Sequence, residues 1–139
     1  MLRDLDLAIE ILRDGYSVVL VKKGKTLSKI KGQGVGSFFD AIEEAGEDAV
    51  GASLADQIVG RAVALLSLHY CLASVHGEVM SQPAADVLEK AGIDLSQKVL
   101  VPFILNRHQS ALCPVENLVK EIDDPGEALR LVRSFLGRD

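Results

Sequence analysis

Reactive side chains concentrate in one segment, Asn106-Arg107-His108-Gln109-Ser110-Ala111-Leu112-Cys113-Pro114-Val115-Glu116. A cysteine at the start of a helix can have a lowered pKa and act as a nucleophile. Arg107 has the planar fork that clamps a phosphate or carboxylate, and Asn106 beside it can read a polar edge. The same residues have a plainer reading, with Cys113 a small buried residue, Pro114 a first-turn proline and Glu116 an acid facing the helix dipole. A second group stands at Ser53-Leu54-Ala55-Asp56, with Arg61 further on. Its serine-to-acid spacing fits a capping box, and Asp56 could alternatively serve as a general base or bind a ligand hydroxyl. Gly32-Gln33-Gly34-Val35-Gly36 has neither the dinucleotide fingerprint nor the Lys-Ser/Thr ending of a P-loop, so it reads as a flexible connection. His69, His76 and His108 are too widely spaced for a metal-ligand pattern, and no metal or cofactor is expected.

The elements that must position these groups follow from periodicity and punctuation. Leu2, Leu5, Ile9 and Leu12 predict a helix over 2–13, closed by Gly15. Ser17–Lys22 is a β-branched run that predicts a strand, and Lys23-Gly24-Lys25 turns it into a second strand over 26–31. Ser37 is expected to cap a helix over 38–45, and Ser53 to open a longer helix reaching Leu68. The latter is apolar nearly all round, as suits a helix lying between a sheet and other helices. Cys71–Met80 reads as a strand, Ser81 caps a helix begun at Pro83 and stopped by Gly92, and Val99–Leu105 reads as a third apolar strand with Pro102 at an edge or bulge. Helices over 114–122 and 127–136 follow. Strands alternating with helices predict an α/β fold, a central sheet covered by helices.

The chain has 139 residues with a net charge of -5, so a single domain over 1–139 is expected. The acidic balance and the scarcity of aromatics exclude a nucleic-acid tracker. No stretch is long and apolar enough for a membrane span, and the N-terminus lacks a signal peptide's apolar run. Two cysteines, Cys71 and Cys113, make no disulfide framework. A cytoplasmic protein is the simplest expectation.

The order helix, hairpin, helix, strand, helix, strand, helix resembles the cytidine-deaminase-like fold, which implies a three-layer α/β/α domain with a mixed central sheet. Deaminases of that fold carry H-A-E or C-A-E at one helix start and P-C-x-x-C at the next, three zinc ligands and a catalytic glutamate in all. Set on Leu54-Ala55-Asp56 and Leu112–Glu116, the resemblance leaves Cys113 in place of one ligand and Glu116 where the second cysteine should be. It therefore implies a protein without the zinc chemistry. More specifically, Ala55–Ala62, Ser81-Gln82-Pro83-Ala84, Val101–Arg107 and Cys113-Pro114-Val115-Glu116 are similar to a family of bacterial and archaeal proteins on this fold, with D-x-x-x-G-[KR]-A, N-R and C-P-x-E patterns and no assigned activity. If both helix starts face one cleft, the resemblance brings Asp56, Arg61, Asn106, Arg107, Cys113 and Glu116 together. The expected function is binding of a nucleotide-like or other small anionic metabolite. A cysteine-dependent enzyme, an atypical metal site at Asp56, Cys113 and Glu116, and a non-catalytic interaction or regulatory domain remain alternatives. A homo-oligomer is a further expectation.

Overall fold

The structure is a computed structural model and describes residues 3–138; the expected helix start at Leu2 lies outside them. Helix α1 (Asp4–Leu12) leads into an antiparallel hairpin, β1 (Val18–Lys22) and β2 (Lys25–Ile30), whose turn is fastened by the Asp4 carboxylate accepting from Lys23 N and Gly24 N at 2.8 Å each. Helix α2 (Gly34–Ala45) and a 3-10 turn (Gly46–Ala49) precede β3 (Ser53–Val59). The chain then alternates: α3 (Arg61–His69), β4 (Ser74–Ser81), α4 (Gln82–Lys90) and β5 (Asp94–Val101). Helices α5 (Pro114–Val119) and α6 (Pro125–Leu136) complete it.

The five strands lie in the order β2-β1-β3-β4-β5. β1 is antiparallel to both neighbours, while β3, β4 and β5 run parallel, so the sheet is mixed. Alternation along β1 and β3 assigns the two faces. Val19, Val21 and Ala55 pack with Ala8 and Leu12 of α1. Val18, Leu20 and Leu54 point the other way, into the larger core built with α2, α3 and α4. α5 and α6 pack on α3, and Ala128 and Val132 of α6 are fully buried there. This is the three-layer α/β/α, cytidine-deaminase-like architecture. Among the described residues no helix is long and apolar enough to cross a membrane.

Several elements differ from the expectation, each for a physical reason. The helix expected from Ser53 to Leu68 is a strand followed by a shorter helix, broken at Gly60. Its first half is buried between β1 and β4, so an all-apolar surface suits a central strand as well as a buried helix. Ser53 accordingly caps nothing and instead bonds Ser74 across the sheet at 2.6 Å. The strand expected at Val99–Leu105 lies earlier, at Asp94–Val101. β5 is an edge strand with little cover, so its polar first half gives no apolar pattern to read, and Pro102, which cannot donate to a ladder, stands just beyond it. Cys71 belongs to the turn after α3, with φ +57°, rather than to β4. α2 starts at Gly34, which leaves Ser37 buried inside its first turn instead of capping it.

Candidate functional site

The parallel strands β3 and β4 each feed a helix at their carboxyl end, and the crevice outside such ends is where open α/β sheets bind ligands. The starts of α3 and α4 therefore define the site. Of the two helix starts read from the sequence, the one at Ser53–Asp56 is absent, since Asp56 stands inside β3, whereas Cys113 is the N-cap of a helix, α5, which packs on α3 and α6.

Helix α3 begins without a capping side chain, because its N-cap is Gly60. The missing acceptor comes from α5. One carboxylate oxygen of Glu116 accepts from Arg61 N at 2.6 Å and the other from Ala62 N at 2.9 Å. Glu116 is buried at this position. Burial pushes its pKa above its ordinary value, opposed by the two N–H groups and by the charge of Arg61. Gly60 is required by this arrangement, since a Cβ there would stand 2.7 Å from Oε2 and closer still to Oε1. Its φ of -99° is open to any residue, so the constraint is close approach alone.

The Arg61 side chain ties the far end of α5 to the same place. Its Nε donates to Val119 O at 3.1 Å, and its terminal nitrogen donates to Ile122 O and to Asp123 Oδ1, the latter at 2.9 Å. At the start of α4, Ser81 Oγ accepts from Ala84 N at 3.2 Å, as its capping role predicted. Between these starts and the segment that follows β5 lies a cavity of about 410 Å³. It is lined by Pro83, Phe103, Leu105 and Leu112 as apolar walls and by Arg61, Ser81, Glu116 and Lys120 as polar groups. Leu105 and Leu112 face one another across a single antiparallel bridge that closes the loop between them.

Of the residues singled out in the sequence, Arg61 and Glu116 meet in this cavity. Asn106 shapes the loop instead, with Oδ1 accepting from Ser110 N at 3.1 Å and Nδ2 donating to Ser110 Oγ at 3.3 Å. Arg107 is exposed and reaches Gln33 Oε1 at 3.5 Å. Cys113 is half-buried, its N–H bonded to Ile104 O, and its thiol makes no hydrogen bond to Asp56 or His108 among the described residues. Asp56 is buried between Val18 of β1 and Gly77 of β4. Burial pushes its carboxyl up to about 7, against the pull of the Ile58 and Gln57 N–H groups, and among the described residues no cation offsets it. Lys120 was not singled out, although Glu116 and Lys120 stand four apart on one helical face, a spacing that could have joined them.

The residues at these helix starts lack the donors of the zinc centre that a deaminase-like fold implies. Gly60, Arg61 and Ala62 at one start, and Ser81 to Ala84 at the other, offer no imidazole or thiolate. The carboxylate of Glu116 is committed to two N–H groups, and no group of three His, Cys, Asp or Glu among the described residues could hold an ion. The donor set does not fit a three-ligand zinc site.

Residues 7–136 match the family model described as TM1506, domain of unknown function (DUF1893). The chain belongs to the DUF1893 family. It is similar to the crystal structure of a DUF1893 family protein from Thermotoga maritima, with 27% identity, a TM-score of 0.85, and 96% of this chain and 91% of the other covered. Two forms of Acinetobacter baumannii RibD are more distant. Form 1 has 21% identity and a TM-score of 0.51, and form 2 has 22% and 0.48. Each comparison covers 68% of this DUF1893 chain and 34% of RibD, so the chain spans about a third of that protein, and the likeness concerns the fold alone. No curated protein matches the sequence.

Proposed function

We propose that this DUF1893 domain binds a small anionic metabolite of nucleotide-like shape, a flat apolar body bearing a negative group, in the cavity at the starts of α3 and α4. The observation that carries this reading is the composition of the cavity. Its volume of about 410 Å³ lies in the range of small-molecule sites. Pro83, Phe103, Leu105 and Leu112 offer apolar contact area, and Lys120 at the rim has no ion-pair partner among the described residues. Arg61 directs Nε and one terminal nitrogen to Val119, Ile122 and Asp123, so Lys120 is the less committed cation for a ligand.

A second reading, a non-catalytic interaction domain, draws on the same geometry, because Glu116 and the Nε and one terminal nitrogen of Arg61 fasten helix ends. The Cys113 nucleophile gains no comparable support, since its thiol lies outside the cavity's lining and has no base bonded to it.

Calorimetric titration and thermal shift with nucleosides, nucleotides, nucleotide sugars and inorganic phosphate separate the readings. Binding is expected for a compound that combines a ring with a negative group. Lys120→Ala should weaken it about tenfold, the scale of one lost charge-assisted hydrogen bond. Leu112→Trp should block it by filling the cavity. No response to any of these compounds, or binding indifferent to both substitutions, would overturn the proposal.

A further inference from the structure

The sheet has two edges, and they differ. β2 is guarded in the usual way for an edge strand, by Lys25 and Lys29 and by a register shift opposite Leu20 and Val21. β5 pairs only with β4, in regular register from Asp94 to Val101, and among the described residues nothing pairs with its outer side. Residues 97–100 are exposed there, including Val99 at 47% and Leu100 at 46%. Along the same strand runs an open groove of about 540 Å³, lined by Glu89, Gly92, Ile93, Asp94, Leu95 and Gln97.

A strand that pairs with its own copy across a twofold axis must place one residue opposite itself. With Lys98 on the axis, two like charges would face each other. With Gln97 there, Lys98 falls opposite Ser96, and Asp94 opposite Leu100. With Ser96 there, Asp94 lies opposite the partner's Lys98 at both ends, Leu95 opposite the partner's Gln97, and Ile93, just before the strand, comes level with the partner's Val99. Of these three registers, the last alone joins the strand's two charged residues with opposite sign and covers exposed Val99 with an apolar neighbour. Asp94 is free to accept, since Arg3 holds only Oδ2, at 3.3 Å.

We propose that β5 is a self-association edge, pairing antiparallel with β5 of a second copy about an axis at Ser96 and joining two sheets into one. The inference does not depend on the ligand reading of the cavity.

Charge swapping tests it by sedimentation velocity from micromolar to near-millimolar protein. The unaltered chain is expected to dimerise. Lys98→Asp sets Asp94 against a new acid, and Asp94→Lys sets two lysines together, so each variant alone should dimerise about tenfold more weakly. Mixed in equal amounts, the two should pair with each other as tightly as the unaltered chain does, because both crossings regain opposite charges. An unaltered chain that stays monomeric, including one that takes up an added β-strand peptide instead, overturns the proposal. So does a dimer indifferent to the swaps, or a mixture that associates no better than its components.

Discussion

Glu116 and Gly60 are fitted to each other: the carboxylate occupies the volume that a side chain on residue 60 would need. Gly60→Ala should therefore expel Glu116 and leave the first N–H groups of α3 unsatisfied. Glu116→Ala removes the same two bonds from the other side. Each substitution should cost about 1–3 kcal/mol, the price of buried donors left without an acceptor. Chemical denaturation of both single variants and the double variant checks the pairing. The double variant should lose little more than either single one, because both act on one contact. Additive losses would show that the two residues act separately.

Asp56 gives stability a pH dependence of defined sign. Its pKa is 3.8 ordinarily and about 7 in the fold, so between those values the folded chain keeps a proton that the unfolded chain has released. Its contribution is complete at acid pH, declines as pH rises through that window and is lost above it, by about 1.4 kcal/mol per unit. Asp56→Asn replaces the neutral acid with an amide that does not titrate. Urea denaturation from pH 4 to 8 should show the wild-type chain losing ground to this variant with rising pH. A constant difference would mean that Asp56 does not titrate in that window.

His76 lies in a chain of polar contacts under α1. Its Nδ1 is 2.6 Å from Ser96 Oγ and its Nε2 is 3.4 Å from Glu78 Oε2, while Arg13 holds Glu78 at 2.6 and 3.2 Å. Burial pushes the imidazole below its ordinary value, Glu78 pulls it up and Arg13 pushes it down. An NMR titration should give His76 a midpoint below 6.5. Glu78→Gln should lower it further, since the one neighbour that favours the charged ring is gone. A rise on that substitution would contradict this balance.

The legible elements were those with punctuation at both ends. α4 has Ser81 before it and Gly92 after it, and Gly137 stops α6 in the left-handed conformation. β3 and α3 fused into one expected helix because the apolar run from Ser53 to Leu68 crosses a buried strand and a buried helix with only Gly60 between them. β5 was displaced because an uncovered edge strand needs no alternation. Arg61 and Glu116 were both recognisable as reactive types. Their partnership was not, because 55 residues separate the N–H from the carboxylate that accepts it. No local pattern records such a distance.

That separation also orders events during synthesis. A ribosome releases the chain from its N-terminus, and a domain folds as a unit once its parts are available. The sheet and α3 and α4 leave the tunnel before Glu116 does. Until then the acceptor for the first N–H groups of α3 has not yet emerged. The cleft at the starts of α3 and α4 is thus completed by a segment that emerges after the strands and helices it joins.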